Sequence, residues 1–362
     1  MTIAATSPAG SLKATPNPAL SLTPVARWLL LCAAMVFIMA VIGAITRLTE
    51  SGLSIVRWNP IGGALPPLNE ADWQVLFDQY RQTPQYLAVN SGMSLSDFKG
   101  IFWWEWVHRQ WGRLIGLVFF LPFLWFAVTR RVQGRLLLKL LGLFMLGGLQ
   151  GAVGWYMVAS GLIDVPAVSH YRLALHLSLA TLLMALLIYV GLGVADPRRQ
   201  LRAPPGIRLH AKLGFIMVIV TLIWGAFVAG LDAGLIYNEF PKMGPGLFPE
   251  EGLKLSPVWK NFVENHAAVQ FAHRWLALAT GVVVLLLGFE AWRSPNTSTR
   301  ARKLGLALMA MVCVQIALGI ATLRTHVDLH VAVTHQAGAL TLIALLTALN
   351  YELAGRGKLD RG

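Results

Sequence analysis

Residues 28–45, WLLLCAAMVFIMAVIGAI, decide the class of fold, because these eighteen consecutive residues carry no charge. A helix of about this length crosses the ~30 Å hydrocarbon core of a bilayer. The whole chain of 362 residues has the same character, with 56% hydrophobic and 13% charged residues, against ~25% charged residues in a soluble domain. This composition excludes a soluble enzyme and predicts an all-α integral membrane protein.

Eight apolar runs are long enough to span a membrane as helices. They are residues 25–46, 104–128, 136–158, 170–194, 211–231, 266–290, 304–324 and 330–353. Residues 1–24 lack the apolar core of a signal peptide and are expected to be a disordered tail. Residues 195–210 then form a linker between the fourth and fifth helices, and residues 354–362 form a second tail.

The basic residues are distributed unevenly between the two sides of the membrane. Of the 30 Lys and Arg residues, 18 lie on the side of the two termini and eight lie in the opposite loops. The positive-inside rule then places both termini in the cytoplasm, as in a multi-pass protein of the bacterial inner membrane. The net charge of +13 is therefore explained by orientation, and it does not indicate a nucleic-acid partner.

The first outer loop, residues 47–103, contains the signal of a further helix. Asn69 is a suitable N-cap residue, and Trp73, Phe77 and Tyr80 follow it with the spacing of one helix face. We expect an amphipathic helix on the outer membrane surface. A helix packed against the rest of the protein is the alternative.

The two halves of the chain resemble each other. Three pairs of segments match, 108–109 with 273–274, 150–154 with 315–319 and, more faintly, 43–53 with 225–235. We therefore predict two pseudo-symmetric four-helix bundles, residues 25–194 and 211–353. Because four helices separate the copies, the repeats are parallel and related by an axis along the membrane normal.

Four histidines lie at matching depths. His108, His176, His273 and His335 occur five to seven residues into the second, fourth, sixth and eighth spans, about 8–10 Å below the outer ends at ~1.5 Å per residue. Two imidazoles at one level suit the axial positions of a haem iron, so each bundle is predicted to hold one haem toward the periplasmic side. A hydrogen-bonded packing role is the alternative for each, but four costly intramembrane groups related by a repeat favour ligation.

The two cysteines narrow the choice of metal site. Cys32 and Cys313 both lie inside apolar runs, which excludes a disulfide framework, a cysteine-based zinc site and an iron-sulfur cluster. Histidine therefore remains as the metal ligand.

The repeat is broken at one position. Glu105 precedes His108 by three residues, whereas Gln270 precedes His273 by three. A carboxylate beside a haem can take up a proton, and a glutamine only hydrogen-bonds. This difference assigns the chemistry to the first half and an accessory or electron-transfer role to the second. A solvated Glu105, favoured by the helix dipole at the start of its helix, is the alternative.

Five arginines lie at the depth of the histidines. They are Arg47, Arg109, Arg113, Arg172 and Arg274. Guanidinium groups match carboxylates in a bidentate geometry, so we expect these side chains to bind haem propionates. The alternative is that each extends to the membrane interface.

Several of these motifs also occur together in a known family. The matching stretches are Gly43–Ser54, Glu105–Arg113, Gln150-Gly151, His176, His273-Arg274, Gln315, Gly319 and His335. With them the chain resembles the heme A synthase family over nearly its whole length. The resemblance implies oxidation of the C8 methyl of haem O to a formyl group, by successive hydroxylations, to give haem A for terminal oxidases.

The resemblance also implies roles for individual residues. His108 and His176 would flank haem O and then haem A, His273 and His335 would ligate a haem B, and Glu105 would be the catalytic carboxylate. Some bacterial members have a cysteine pair in the first outer loop, and this loop has none. A redox step on a cysteine pair is therefore not expected here, and the resemblance leaves the electron acceptor unknown. A haem O synthase or an oxidase assembly factor is a further expected partner, beside the lipid bilayer.

Two other functions share some of these features. A two-haem b-type cytochrome passing electrons to or from quinone would need the same four histidines, but not the difference between Glu105 and Gln270 or a large outer loop. A transporter built on parallel repeats would need broken helices near the midplane, for which the glycines of the repeat are weak evidence.

Overall fold

A computed structural model describes residues 22–57, 62–161, 168–196 and 202–355. Those residues form helices, turns and irregular segments and contain no named strand. Eight helices are long and apolar enough to cross a membrane, which confirms all eight predicted spans. Their bounds are α1 Pro24–Leu48, α4 Leu95–Val128, α5 Gly134–Gly161, α6 His170–Ala195, α7 Pro205–Gly230, α9 His266–Arg293, α10 Thr299–Arg324 and α11 Leu329–Ala354. Most of both predicted tails, and the linker residues 197–201, lie outside the described residues.

Three short helices lie in the loops between the spans. They are α2 Glu70–Tyr80, α3 Pro84–Ala88 and α8 Asn261–Glu264. We call the membrane face at which α1, α5, α7 and α10 begin the basic face. The opposite membrane face, at which α4, α6, α9 and α11 begin, is the histidine face.

The eight long helices pack in the same order in both halves. In the first half α1 packs on α4 and α6, and α5 packs on α4 and α6. In the second half α7 packs on α9 and α11, and α10 packs on the same two helices. The halves meet through α1, α6, α7 and α11. This order is consistent with two four-helix units, and the symmetry axis between them stays a prediction.

The helix α4 begins nine residues before the predicted span. Its first turn is closed by a capping box in which the Ser94 hydroxyl accepts from the Asp97 amide at 3.2 Å and the Asp97 carboxylate accepts from the Ser94 amide at 3.3 Å. A capping box satisfies two of the free amides at a helix start. The extra turns, residues 95–103, therefore rise out of the apolar run toward the outer loop.

The predicted helix of the outer loop is present as α2. The Asn69 side chain accepts from the Asp72 amide at 2.9 Å, and the apolar face of α2 is buried against α4, with Trp73 4.8 Å from Phe102 between ring centroids. The chain therefore adopts the second of the two expected arrangements, in which this face packs on the protein. As a result, the outer loop is attached to the first turns of α4.

Candidate haem sites

The structure brings the four predicted histidines together in two pairs. His108 on α4 lies close to His176 on α6, and His273 on α9 lies close to His335 on α11. All four side chains are half-buried. These are the pairings that the repeat predicted, one in each half of the molecule.

A glycine lies against each of the four imidazoles. A Cβ atom built on Gly43, Gly154, Gly225 or Gly319 would lie 3.3, 2.8, 3.0 or 2.9 Å, respectively, from the nearest ring atom of His108, His176, His273 or His335. Cβ contacts under 3.0 Å are essentially never observed, so a larger residue at Gly154 or Gly319 would displace the ring, and at Gly43 or Gly225 the contact would be tight. All four glycines lie in the matching segments of the repeat. The sequence showed only that these glycines recur in the two halves, and not that they pack against the histidines.

A glutamine holds the second histidine of each pair. Gln150 donates through Nε2 to the carbonyl of His176 at 3.0 Å, and its Nε2 lies 3.4 Å from the imidazole Nε2. Gln315 donates to the carbonyl of His335 at 2.9 Å, and its Nε2 lies 3.2 Å from the imidazole Nδ1. The same contact in both halves accounts for the glutamine of the repeated motif.

The residues at the two sites are compatible with haem. Nδ1 of His273 donates to the carbonyl of Thr221 at 3.2 Å. This hydrogen bond leaves the other ring nitrogen, Nε2, available to bind iron. The Nδ1 of His176 is buried and has no hydrogen-bond partner, as expected of a nitrogen whose partner is not a protein group. Within the described ranges no group of three or more His, Cys, Asp or Glu side chains offers another metal site.

Glu105 is buried beside the first pair, with 2% of its surface exposed. Its Oε2 accepts from the Ser54 hydroxyl and from the Ile55 amide, both at 2.8 Å. Its Oε1 accepts from Arg109 through Nε at 3.0 Å and through Nη2 at 2.5 Å. The alternative of a solvated residue is wrong, because four donor groups of the protein enclose this carboxylate.

Two similar turns deliver the backbone to these positions. Glu50 and Asp232 both adopt left-handed backbone conformations, with φ of 53° and 51°. A short 3₁₀ turn follows each of them, Ser51–Leu53 and Ala233–Leu235. The faint match between residues 43–53 and 225–235 therefore corresponds to a shared turn that returns the chain to its histidine helix.

The second half uses the same turn, with Gln270 in the place of Glu105. Gln270 and Arg274 both donate to the carbonyl of Tyr237, at 3.0 and 2.7 Å, and Tyr237 is equivalent to Ile55 in the shared turn. Arg274 also donates to the carbonyls of Glu239 and Lys242 at 2.9 and 3.1 Å. An arginine supports the turn in both halves, but among the described residues only Arg109 of the two forms an ion pair with a carboxylate one helical turn away.

The loop that carries Tyr237 is also held by an ionisable pair. The Tyr237 hydroxyl donates to Oε1 of Glu251 at 2.6 Å. This hydrogen bond, together with burial, raises the pKa of Tyr237 to about 12, and the same hydrogen bond lowers the pKa of Glu251. At neutral pH the pair is therefore a tyrosine hydroxyl and a carboxylate.

The three remaining predicted arginines have protein partners as well. Arg172 donates to the Tyr156 hydroxyl at 3.5 Å. Arg113 donates to the carbonyl of Gly63 at 3.2 Å, beside a cavity of about 430 Å³ on α4. Arg47 at the end of α1 donates to Oδ1 of Asp232 and to the carbonyl of Ala229, both at 2.8 Å, and so links the two halves. The expected contacts of these arginines with haem propionates stay predictions.

Comparisons with known proteins agree with this architecture. The profile of the family described as cytochrome oxidase assembly protein matches residues 26–347. The heme A synthase of Rhodospirillum centenum is 55% identical over 323 residues, which are 89% of this chain and 86% of that protein. The heme A synthases of Nitrosospira multiformis and Paramagnetospirillum magneticum are 48% and 46% identical, over 91% and 92% of this chain and 93% and 94% of their own lengths. The chain therefore belongs to the cytochrome oxidase assembly protein family.

Proposed function

We propose that this protein is a heme A synthase, an oxidoreductase that converts the C8 methyl of haem O into the formyl group of haem A. The similarity to proteins of that name extends over about nine-tenths of the chain. The buried carboxylate of Glu105 is the observation that assigns the reaction to the first half of the molecule. The second half has Gln270 at the matching position, and a glutamine takes up no proton.

The first histidine pair holds the substrate in this proposal. His108 and His176 bind haem O and then haem A, and the glycines against their rings keep the imidazoles close to α1 and α5. His273 and His335 hold a haem B. That haem supplies one-electron oxidation and reduction when bound.

Glu105 acts on the methyl group through its charge. Its two oxygens are fixed by Ser54, by the Ile55 amide and by Arg109, so the carboxylate requires little reorganisation during the reaction. A fixed negative charge stabilises positive charge that develops at the methyl carbon, or it accepts a proton from an attacking water. Burial strengthens both effects, because water does not screen the charge.

The protein is proposed to lie in the bacterial inner membrane with both termini in the cytoplasm. The excess of basic residues on the side of the termini supports this orientation. It places the histidine face, and both haems, toward the periplasm. Contact with a haem O synthase or an oxidase assembly factor belongs to the same proposal, and the electron acceptor is left open.

Co-expression with a source of haem O tests the function directly. Haems extracted from the purified protein and separated by chromatography should include haem B together with haem O or haem A. The variant Glu105→Gln reproduces the residue of the second half and should retain haem B and haem O while forming no haem A. Haem B alone in the unmodified protein would support the electron-transferring cytochrome instead, and haem A at the normal level in Glu105→Gln would remove the catalytic role of this residue.

A further inference from the structure

A second cavity lies on the basic face, at the opposite end of the helices from the histidines. Its volume is about 550 Å³, and it lies between the residues that lead into α7 and the loop from α9 to α10. Arg202 and Arg208 line it from the first side, and Asn296 and Thr297 line it from the second. The haem sites do not include any of these residues.

The carboxylates described on the basic face already have other partners, an arginine for two of them and a histidine for the third. Asp196 binds Arg300 at 3.0 Å, and Glu352 lies 3.9 Å from the same guanidinium. Glu290 lies 2.9 Å from Nδ1 of His210. These contacts leave no described carboxylate on this face for the arginines of the cavity.

Arg202 and Arg208 make no ion pair within the part of the chain that the structure describes. The Nε of Arg208 is buried and has no hydrogen-bond partner, and a buried donor without a partner is costly. The helix α7 starts beside them with Pro205 in its first turn and without a side-chain cap. The cavity is therefore lined by two uncompensated positive charges and adjoins the positive end of a helix dipole.

We propose that this cavity binds the phosphate group of an anionic phospholipid from the leaflet on the basic face. Guanidinium groups match the geometry of phosphate oxygens in bidentate pairs, and basic pockets between membrane helices on the cytoplasmic side suit anionic headgroups. The cavity lies where α6 and α9 end and where α7 and α10 begin, which is the level of the lipid headgroups. Free inorganic phosphate shares the chemistry and is the other source of such a group.

The test compares lipids and variants on the purified, full-length protein in a zwitterionic detergent. Thermal unfolding is followed while dioctanoyl phosphatidylglycerol, dioctanoyl phosphatidylcholine or inorganic phosphate is added. The variant Arg202→Gln/Arg208→Gln removes both charges of the cavity. The control Arg293→Gln/Arg302→Gln removes two charges from the same face outside it, since Arg293 lies over the Phe289 ring and Arg302 donates to the carbonyl of Ser294.

Phosphatidylglycerol should raise the unfolding temperature of the unmodified protein and of the control, and phosphatidylcholine should not. In the cavity variant the apparent Kd for phosphatidylglycerol should rise by roughly tenfold or more, because hydrogen bonds to a charged group are lost. An equal response of the cavity variant and the control would overturn the site. If inorganic phosphate raised the unfolding temperature as much as phosphatidylglycerol does, a lipid would be overturned as the occupant of the cavity. If the double variant does not fold, Arg202→Gln alone, at an exposed position, gives the same comparison.

Discussion

Buried Glu105 and half-buried Arg109 form an ion pair one helical turn apart on α4, with Nε of the arginine 3.0 Å from Oε1 of the carboxylate. Arg109 also donates to the carbonyl of Ile55 at 3.0 Å, and the Ile55 amide donates to the same carboxylate. The pair and the turn after α1 therefore form one closed network. The carboxylate side of this network is the more deeply enclosed, with 3% of the Glu105 side chain exposed against 18% of the Arg109 side chain.

Removal of Arg109 should destabilise the protein more than removal of the pair. Arg109→Leu leaves an uncompensated buried carboxylate, which costs about 3–5 kcal/mol. The double variant Glu105→Gln/Arg109→Leu should recover part of that loss. Unfolding in detergent, measured for both single variants and the double variant, gives the coupling energy. Additive effects of the two substitutions would show that the residues do not act as a pair.

Ser54 should position the carboxylate without being needed for haem binding. Ser54→Ala removes one of the two donors to Oε2 of Glu105, and a hydrogen bond to a charged group is worth about 1.5–3 kcal/mol. We expect turnover of haem O to fall by roughly tenfold or more at an unchanged haem content. The control is Ser51→Ala in the same turn, because the Ser51 hydroxyl contacts Thr49. Equal turnover in the two variants would contradict the role of Ser54.

The glycines against the imidazoles give a prediction for each haem separately. Gly154→Ala places a Cβ 2.8 Å from His176, and Gly319→Ala places one 2.9 Å from His335. The first variant should lose the haem of the first half, and the second should lose haem B. Gly151→Ala is the matched control, since nothing lies within 4 Å of its added Cβ on the same helix as Gly154.

Extracted haems and reduced-minus-oxidised spectra measure both losses. Full occupancy in Gly154→Ala and Gly319→Ala would show that the rings move aside without cost. Loss of the same haem in both variants would contradict the assignment of one histidine pair to each half.

The hydropathy and spacing of residues along the sequence predict much of the architecture. They predict only part of the candidate site. Apolar runs are long enough to define all eight spans, and the depth of the histidines follows from helix geometry. The start of α4 was missed because its capping box at Ser94 and Asp97 precedes the apolar run, where the segment reads as a loop. The signal was present, since a serine three residues before an acidic residue is a helix start.

The hydrogen-bond partners of Glu105 could not be predicted from the sequence. Ser54 and Ile55 lie 51 and 50 residues away in the chain, and they reach the carboxylate through a turn that begins at a left-handed Glu50. No periodicity encodes such a turn, and the match with the turn after Asp232 was faint. The arginine contacts were missed for the same reason, because their acceptors are backbone carbonyls in loops, which any residue provides.

Arg47 has two candidate roles, which are joining the two halves through Asp232 and binding a haem propionate. Substitution of each partner of the Arg47–Asp232 contact distinguishes them. The pair joins the halves, but 65% of the Asp232 side chain and 25% of the Arg47 side chain are exposed, and such pairs contribute about 0–1 kcal/mol. Both Arg47→Gln and Asp232→Asn should therefore lower the unfolding temperature only slightly, Arg47→Gln somewhat more because it also loses the hydrogen bond to the carbonyl of Ala229. A purely structural pair leaves the haem content unchanged in both variants. If Arg47 also binds a haem propionate, Arg47→Gln alone will lose haem, because Asp232 cannot be a propionate ligand. Haem content at equal protein concentration, measured for both variants, decides between the two roles.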